Sequence, residues 1–309
     1  MIGDRDFSYK IAAFLERNCF QHVVFSIGGT PWSTNGEYYF RFDSKVAAHI
    51  KCVMLDTTSR IRSEDVTALP AAERIAYLRQ NLDGPIVFTH GFGVEGQLIF
   101  HWIYERDLDI DVVTLDTGRL FPETYTLWAE TERRYGRRIR AIYPNGAALE
   151  RLVAKQGIDG MYESKRARES CCDVRKTKPL DRALSGAAAW ITGLRGDQNS
   201  NRHDAGLTAF DASRGVLKFN PLYDWTRDAV LAEVRRLDVP INALHAKGFA
   251  SIGCAPCTRA LRPGEPERKG RWWWEQDGSN ECGLHLPKSG RRLRAETKLP
   301  SERVTGACG

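Results

Sequence analysis

From about residue 85 onward the chain alternates short apolar runs with stretches whose apolar residues recur every three or four positions. The first kind reads as strand and the second as amphipathic helix. Residues 85–89, Pro85-Ile86-Val87-Phe88-Thr89, predict a buried strand. Beyond a glycine-bearing turn, residues 95–106 place Leu98, Ile99, Trp102 and Ile103 on one helical face. Further strands are predicted at 112–115, 138–143 and 187–192, and further helices at 122–135, 147–156 and 226–237. Pro122 suits the first turn of its helix, where the missing N–H costs nothing. Val230, Leu231, Val234 and Leu237 align along the last helix. Repeated strand-to-helix crossovers predict an α/β fold, a mostly parallel sheet with helices on both faces.

Ahead of this pattern, residues 22–42 look strand-like and 71–81 helical, without a chemical motif in either. After Cys257 come Pro263-Gly264-Glu265-Pro266, a charged run, and Trp272-Trp273-Trp274, which read as poor core and as a mobile arm. The expected division is an N-terminal segment 1–84, an α/β domain 85–260 and a C-terminal arm 261–309.

Parallel sheets bind ligands beyond the carboxyl ends of their strands. Three loops fall there: His90-Gly91-Phe92-Gly93-Val94-Glu95, Asp116-Thr117-Gly118-Arg119 and Gly193-Leu194-Arg195-Gly196-Asp197-Gln198. Glycines before a helix let backbone N–H groups and the helix dipole approach an oxyanion, although most short glycine turns only connect elements. Gly91, Gly93, Glu95, Leu115, Gly118 and Arg119 are the substrate-binding candidates at this edge.

The cysteines carry the strongest chemical signal. Cys171-Cys172 and Cys254-Ala255-Pro256-Cys257 make a quartet, and Cys282 follows in Glu281-Cys282-Gly283-Leu284-His285. Four thiolates can hold an iron–sulfur cluster, and an adjacent pair suits a multi-iron face better than one tetrahedral zinc. Structural zinc or unrelated buried thiols are the alternatives. Cys282 stands apart, after Arg268 and Arg271, and a nearby cation would favour its reactive thiolate. The plain alternative is a surface cysteine beside an ordinary His285.

Composition narrows the setting. A chain of 309 residues with 42% apolar content can bury a large core. No apolar signal region follows Met1, and no apolar run approaches the roughly 20 residues that cross a bilayer. The expectation is a cytoplasmic protein with reduced thiols and no membrane partner. The net charge of +6, from 45 basic and 39 acidic residues, forms no stripe of the kind that binds nucleic acid. The densest basic stretches, 165–178 and 259–271, flank the thiols, which suggests a small anionic ligand there, with a solvated basic face the alternative for any single arginine.

Together these segments resemble assimilatory adenylyl-sulfate (APS) reductases, the iron–sulfur branch of the phosphoadenylyl-sulfate (PAPS) reductase family. The residues that carry the resemblance are Leu115-Asp116-Thr117-Gly118-Arg119-Leu120-Phe121-Pro122-Glu123-Thr124-Tyr125, Cys171-Cys172-Asp173-Val174-Arg175-Lys176, and Trp190-Ile191-Thr192-Gly193-Leu194-Arg195. They continue with Asn220-Pro221-Leu222-Tyr223-Asp224-Trp225, residues 251–259, Gly270-Arg271-Trp272-Trp273-Trp274-Glu275 and residues 281–285. The resemblance implies an adenine-nucleotide α-hydrolase-like (PP-loop type) fold and a [4Fe-4S] cluster on Cys171, Cys172, Cys254 and Cys257. It also implies a nucleophilic Cys282 with His285 close by, and Lys176, Arg195, Arg268 and Arg271 around sulfate and phosphate. Its reaction is thioredoxin-dependent reduction of adenylyl sulfate to sulfite and AMP through a cysteine S-sulfonate. Thioredoxin or a glutaredoxin-like reductant is then the expected partner, with self-association left open. The chain departs from the family's phosphate loop, which usually carries serines and an acidic pair, at His90, Gly91 and Gly96. A PAPS reductase, an ATP-dependent sulfur transferase or pyrophosphatase, and a non-catalytic iron–sulfur protein are the competing readings.

Overall fold

The computed structural model describes residues 30–34, 37–41, 61, 63–199, 202–275 and 284. Strands β1 (Thr30–Thr34) and β2 (Glu37–Arg41) pair antiparallel. Helices α1 (Ser63–Thr67) and α2 (Ala71–Asn81) lead into the main body. Its sheet contains β3 (Ile86–Thr89), β4 (Asp111–Leu115), β5 (Arg140–Ile142), β6 (Ala189–Ile191), β7 (Thr208–Asp211) and β8 (Val216–Phe219). The spatial order is β5-β4-β3-β6-β8-β7, parallel throughout except for β7, which pairs antiparallel with β8 at one edge.

Along β3, Ile86 and Phe88 enter one apolar core and Val87 the other. Ala189 and Ile191 on β6 likewise oppose Trp190, the period-two signature of a sheet covered on both faces. One face is covered by α2, α3 (Val94–Glu105) and α8 (Arg227–Arg236), through Ile75, Leu78, Leu98, Ile99, Val230 and Val234. The other carries Leu180 and Ala183 of α7 (Lys178–Ala183). The predicted parallel sheet is thus present, and 71–81 is the helix the periodicity indicates. The chain runs outward on one side of β3 through β4 and β5, then returns to the other side at β6. That reversal opens a crevice beyond the carboxyl end of β3.

Helices α4 (Pro122–Tyr135) and α5 (Gly146–Gln156) complete the crossovers, with Pro122 in the first turn of α4 and Asn145 capping α5 through the Ala148 amide. The strand expected at 138–143 contracts to β5, and the β7–β8 hairpin lies where no strand was expected. Lys218 faces inward from β8 and breaks the apolar pattern a buried strand would show. Within the stretch expected to be poor core, Arg262, Pro263, Gly264 and Trp273 are exposed, but Trp272 is fully buried. Its amide donates to the Cys257 carbonyl at 3.1 Å, and the Arg259 amide donates to Gly270 at 3.0 Å. No described helix is long and apolar enough to cross a membrane.

Arg74 ties α2 to the body. Its guanidinium donates to both Asp224 oxygens at 2.6 and 2.7 Å, to the Pro221 carbonyl at 2.9 Å, and to the Leu69 and Thr67 carbonyls. Arg74→Ala removes these bonds and strands the acceptors, which should lower urea-unfolding stability by about 2 kcal/mol. A change inside measurement error would mean that α2 is not held by this contact.

Candidate active site

Helix α6 (Lys165–Cys172) starts at Ser164, whose hydroxyl accepts from the Ala167 amide, and its last two residues are Cys171 and Cys172. A π-helical turn, Asp173–Thr177, follows at once. Its wide winding buries Arg175, Lys176 and Thr177 in succession, which the 3.6-residue repeat of an α-helix does not favour. Short, charged and interrupted, this region gave no helical periodicity in the sequence. Cys254 caps the tight turn Ala255–Cys257, which ends on Cys257 and has Pro256 in its first turn. The Ala255 amide donates to the Arg119 carbonyl at 2.8 Å, and Leu120 bridges Cys254, fixing the turn to the loop after β4.

The four sulfurs line one small cavity with Arg119, Met161, Arg168, Arg175 and Lys176. All four are free thiols. Burial pushes Cys171 up and, reinforced by the neighbouring Cys254, takes Cys257 to about 11. Burial acts the same way on Cys254, but Lys176, the Thr117 hydroxyl 3.2 Å from its sulfur and Arg271 outweigh it and lower its pKa. Among the described residues no three Cys, His, Asp or Glu side chains converge as ligands of a single ion. An all-thiol donor set enclosed by cations fits the chemistry of iron–sulfur ligation, and these four cysteines are the residues able to hold such a group.

Beside this cavity lies a cleft of about 250 Å³ at the carboxyl ends of β3, β4 and β6. Gly91, Gly93, Glu95, Leu115, Lys176, Arg268 and Arg271 all line it, so the structure brings these predicted residues together. Lys176 belongs to both walls. The other candidates stand elsewhere. Gly118, at φ +69°, makes the turn that lets its amide donate to Asp116 at 2.8 Å. Arg119 faces the thiol cavity and pairs with Asp159 at 2.8 Å. Arg195 is fully buried behind the cleft, its guanidinium bound to Glu95 at 2.8 Å, to Glu267 at 2.6 Å and to Asp197. Burial and the adjacent Glu95 raise Glu267 despite Arg195. Cys282 and His285, with Cys19, Cys52 and Cys308, lie outside the described residues. Leu284 is described, is half-buried and lines the cleft.

The sequence reading missed Thr117, Arg202, Ser251 and Glu267, which border the cleft or its thiols. The Ser251 hydroxyl accepts from Arg268 at 3.4 Å and from Arg271 at 3.5 Å. Its place three residues before Cys254 was the available signal.

The atypical phosphate loop has a packing logic. His90 is buried and meets Phe88, Phe92 and Phe100 edge-on, with ring centroids 5.6, 4.4 and 5.5 Å away. A Cβ at position 96 would stand 3.5 Å from the imidazole, an ordinary van der Waals contact, so the ring packs directly over this glycine. Desolvation lowers the His90 pKa to about 3, only weakly opposed by Gln97 and the Gly96 backbone. The imidazole is therefore neutral at ordinary pH.

The mostly parallel sheet, with its cleft at the switch point, has the adenine-nucleotide α-hydrolase-like fold. The profile of the phosphoadenosine phosphosulfate reductase domain matches residues 85–260, and the chain belongs to that family. An adenosine 5'-phosphosulfate reductase of Sinorhizobium fredii is 48% identical over 235 residues, covering 76% of this chain and 93% of the relative. One from Allochromatium vinosum is 46% identical over 215 residues, covering 70% and 84%. The crystal structure of a phosphoadenylyl-sulfate reductase from Candida auris, a phosphate complex, superimposes with a TM-score of 0.55 at 26% identity, covering 62% of this chain and 92% of that one. The chain is an oxidoreductase of this family.

His90 also sets a test of stability. Its folded pKa lies below the ordinary 6.5, so the unfolded chain binds the proton first. The stability this neutral ring contributes is complete above pH 6.5 and is lost as pH falls from there toward 3. Urea unfolding at pH 7 and 5 should show the native chain losing about 2 kcal/mol more than His90→Leu. Equal losses would mean that the ring is not held neutral.

Proposed function

We propose that this chain reduces adenylyl sulfate to sulfite and AMP in sulfate assimilation, using Cys282 as nucleophile and thioredoxin or a similar dithiol as reductant. The observation that carries this reading is Lys176, one buried cation facing both the thiol cavity and the nucleotide cleft. The names of the relatives support the unphosphorylated nucleotide as substrate.

Arg268, Arg271 and Lys176 supply positive charge where a sulfate–phosphate anhydride would sit, and forked guanidinium donors match such oxyanions. The backbone at Gly91 and Gly93, entering α3, adds N–H groups with the same polarity. The Cys282 thiolate attacks the sulfur of adenylyl sulfate. The sulfur–oxygen bond to the phosphate breaks, and AMP leaves with the electron pair. Lys176, Arg268 and Arg271 stabilise the charge that develops there. The Cys282 S-sulfonate is then attacked at its cysteine sulfur by a thioredoxin thiolate, and sulfite departs. A second thioredoxin thiol closes the thioredoxin disulfide and frees Cys282. Sulfur passes from the sulfate to the sulfite level while the dithiol is oxidised.

Cys171, Cys172, Cys254 and Cys257 would hold a [4Fe-4S] cluster. When bound, that group supplies a fixed charge beside the substrate and a clamp joining α6 to the turn at Cys254. Cysteine ligands of this kind suit a reducing, cytoplasmic setting.

Anaerobic assay of the brown protein with thioredoxin should yield sulfite from APS and little from PAPS. Cys282→Ser should abolish sulfite while leaving the visible absorption intact, and mass analysis of the native protein with APS alone should find Cys282 heavier by one sulfonate. Preference for PAPS would overturn the substrate, and an unmodified Cys282 the mechanism.

A further inference from the structure

Arg271 is held with little freedom. Its guanidinium carbon lies 4.7 Å from the Trp272 ring centroid, and Arg168, on the thiol side, approaches the same ring to 4.9 Å. Arg168 is itself fixed by both oxygens of Glu275, at 2.8 and 2.9 Å. Trp272 is fully buried and adopts a left-handed backbone, φ +45°, which costs an aromatic residue energy and persists only where surrounding contacts impose it.

Gly253 contributes by what it lacks. A Cβ there would stand within 2.8 Å of Arg271 Nη1 and closer still to Cζ and Nη2. Its backbone needs no positive φ, so the requirement for glycine is steric room for the guanidinium. The ring gives the fork a face to lie on, and the bare Cα leaves the room it occupies. Arg271 meets the Ser251 hydroxyl at 3.5 Å and the Ile252 carbonyl at 3.4 Å, and no carboxylate among the described residues. Its buried Nε has no partner among the described residues. This differs from Arg195, whose guanidinium is engaged by three carboxylates. Arg271 is thus immobilised in the cleft with donor capacity in reserve for an anion.

We propose that Gly253 and Trp272 are positioning residues: together they fix the Arg271 fork in the cleft, preorganised for the sulfate–phosphate anhydride of the substrate. The inference deepens the proposed function and rests on the cleft as the adenylyl-sulfate site. Preorganisation spares the ligand the cost of ordering a long side chain, and the effect belongs to binding through Arg271. A methyl group at position 253 therefore weakens binding by displacing a cation that is still present.

The test measures adenylyl sulfate binding by titration calorimetry on the Cys282→Ser chain, where no turnover occurs. Adding Gly253→Ala should weaken binding about tenfold, as should Arg271→Ala. Their combination should weaken it no further than Arg271→Ala alone, a non-additivity that general structural damage would not produce. Trp272→Phe, which keeps an aromatic face, should bind close to normally, and Trp272→Leu should lose about tenfold. This pair carries the test if Gly253→Ala fails to fold. Additive losses, or unchanged affinity in both Gly253→Ala and Trp272→Leu, would overturn the clamp. Normal clamp behaviour in a chain whose native form yields no sulfite would overturn the proposed reaction and leave the clamp standing. Failure of Cys282→Ser to bind adenylyl sulfate at all would overturn the cleft assignment and the clamp together.

Discussion

Buried positive charge is the constraint around which this molecule is organised. Arg168, Arg175, Lys176, Arg195, Arg268 and Arg271 are all withdrawn from solvent within one region of the fold. A cation out of water is costly unless something compensates it. The protein answers in two ways. Arg195 and Arg168 are matched with carboxylates from distant parts of the chain and so become structural joints. Lys176 and Arg271 instead lower the pKa of Cys254 from a wall shared with the cleft, which leaves positive potential where an anion can enter.

This division explains the interdependence of fold and site. Glu95 opens α3 at the end of β3, Glu267 comes from beyond the Cys254 turn, and Arg195 joins them. The loop after β3, the loop after β6 and the segment after the second cysteine pair are thereby locked to one another. The cleft between them is set by ion pairs in its rear wall as much as by the sheet edge that places it.

The architecture was legible where one periodicity dominated. Val87 between Ile86 and Phe88, and the apolar stripe of α3, admit few other readings, and the cysteine spacing pointed to a common site. Lys176, Arg268 and Arg271 were found together through motif resemblance. Side-chain partnership was not legible. Arg195 and Arg271 look alike in sequence, yet one is enclosed by carboxylates and the other faces the cleft, a difference settled by Glu95, Asp197 and Glu267. Trp272 lay in a stretch read as poor core because of its charged neighbours; one of them, Arg271, and the distant Arg168 lie against its ring.

The π-helical turn after Cys172 has a consequence for how such a chain can change. An α-helical winding would turn Thr177 to the side opposite Cys172, whereas the wider turn keeps Arg175, Lys176 and Thr177 buried in succession. The register of this one turn is therefore coupled to the tandem thiols. Removal of a single residue here would let the helix relax to ordinary geometry. The residue count between the tandem cysteines and Pro179 therefore decides whether Thr177 stays on the buried side.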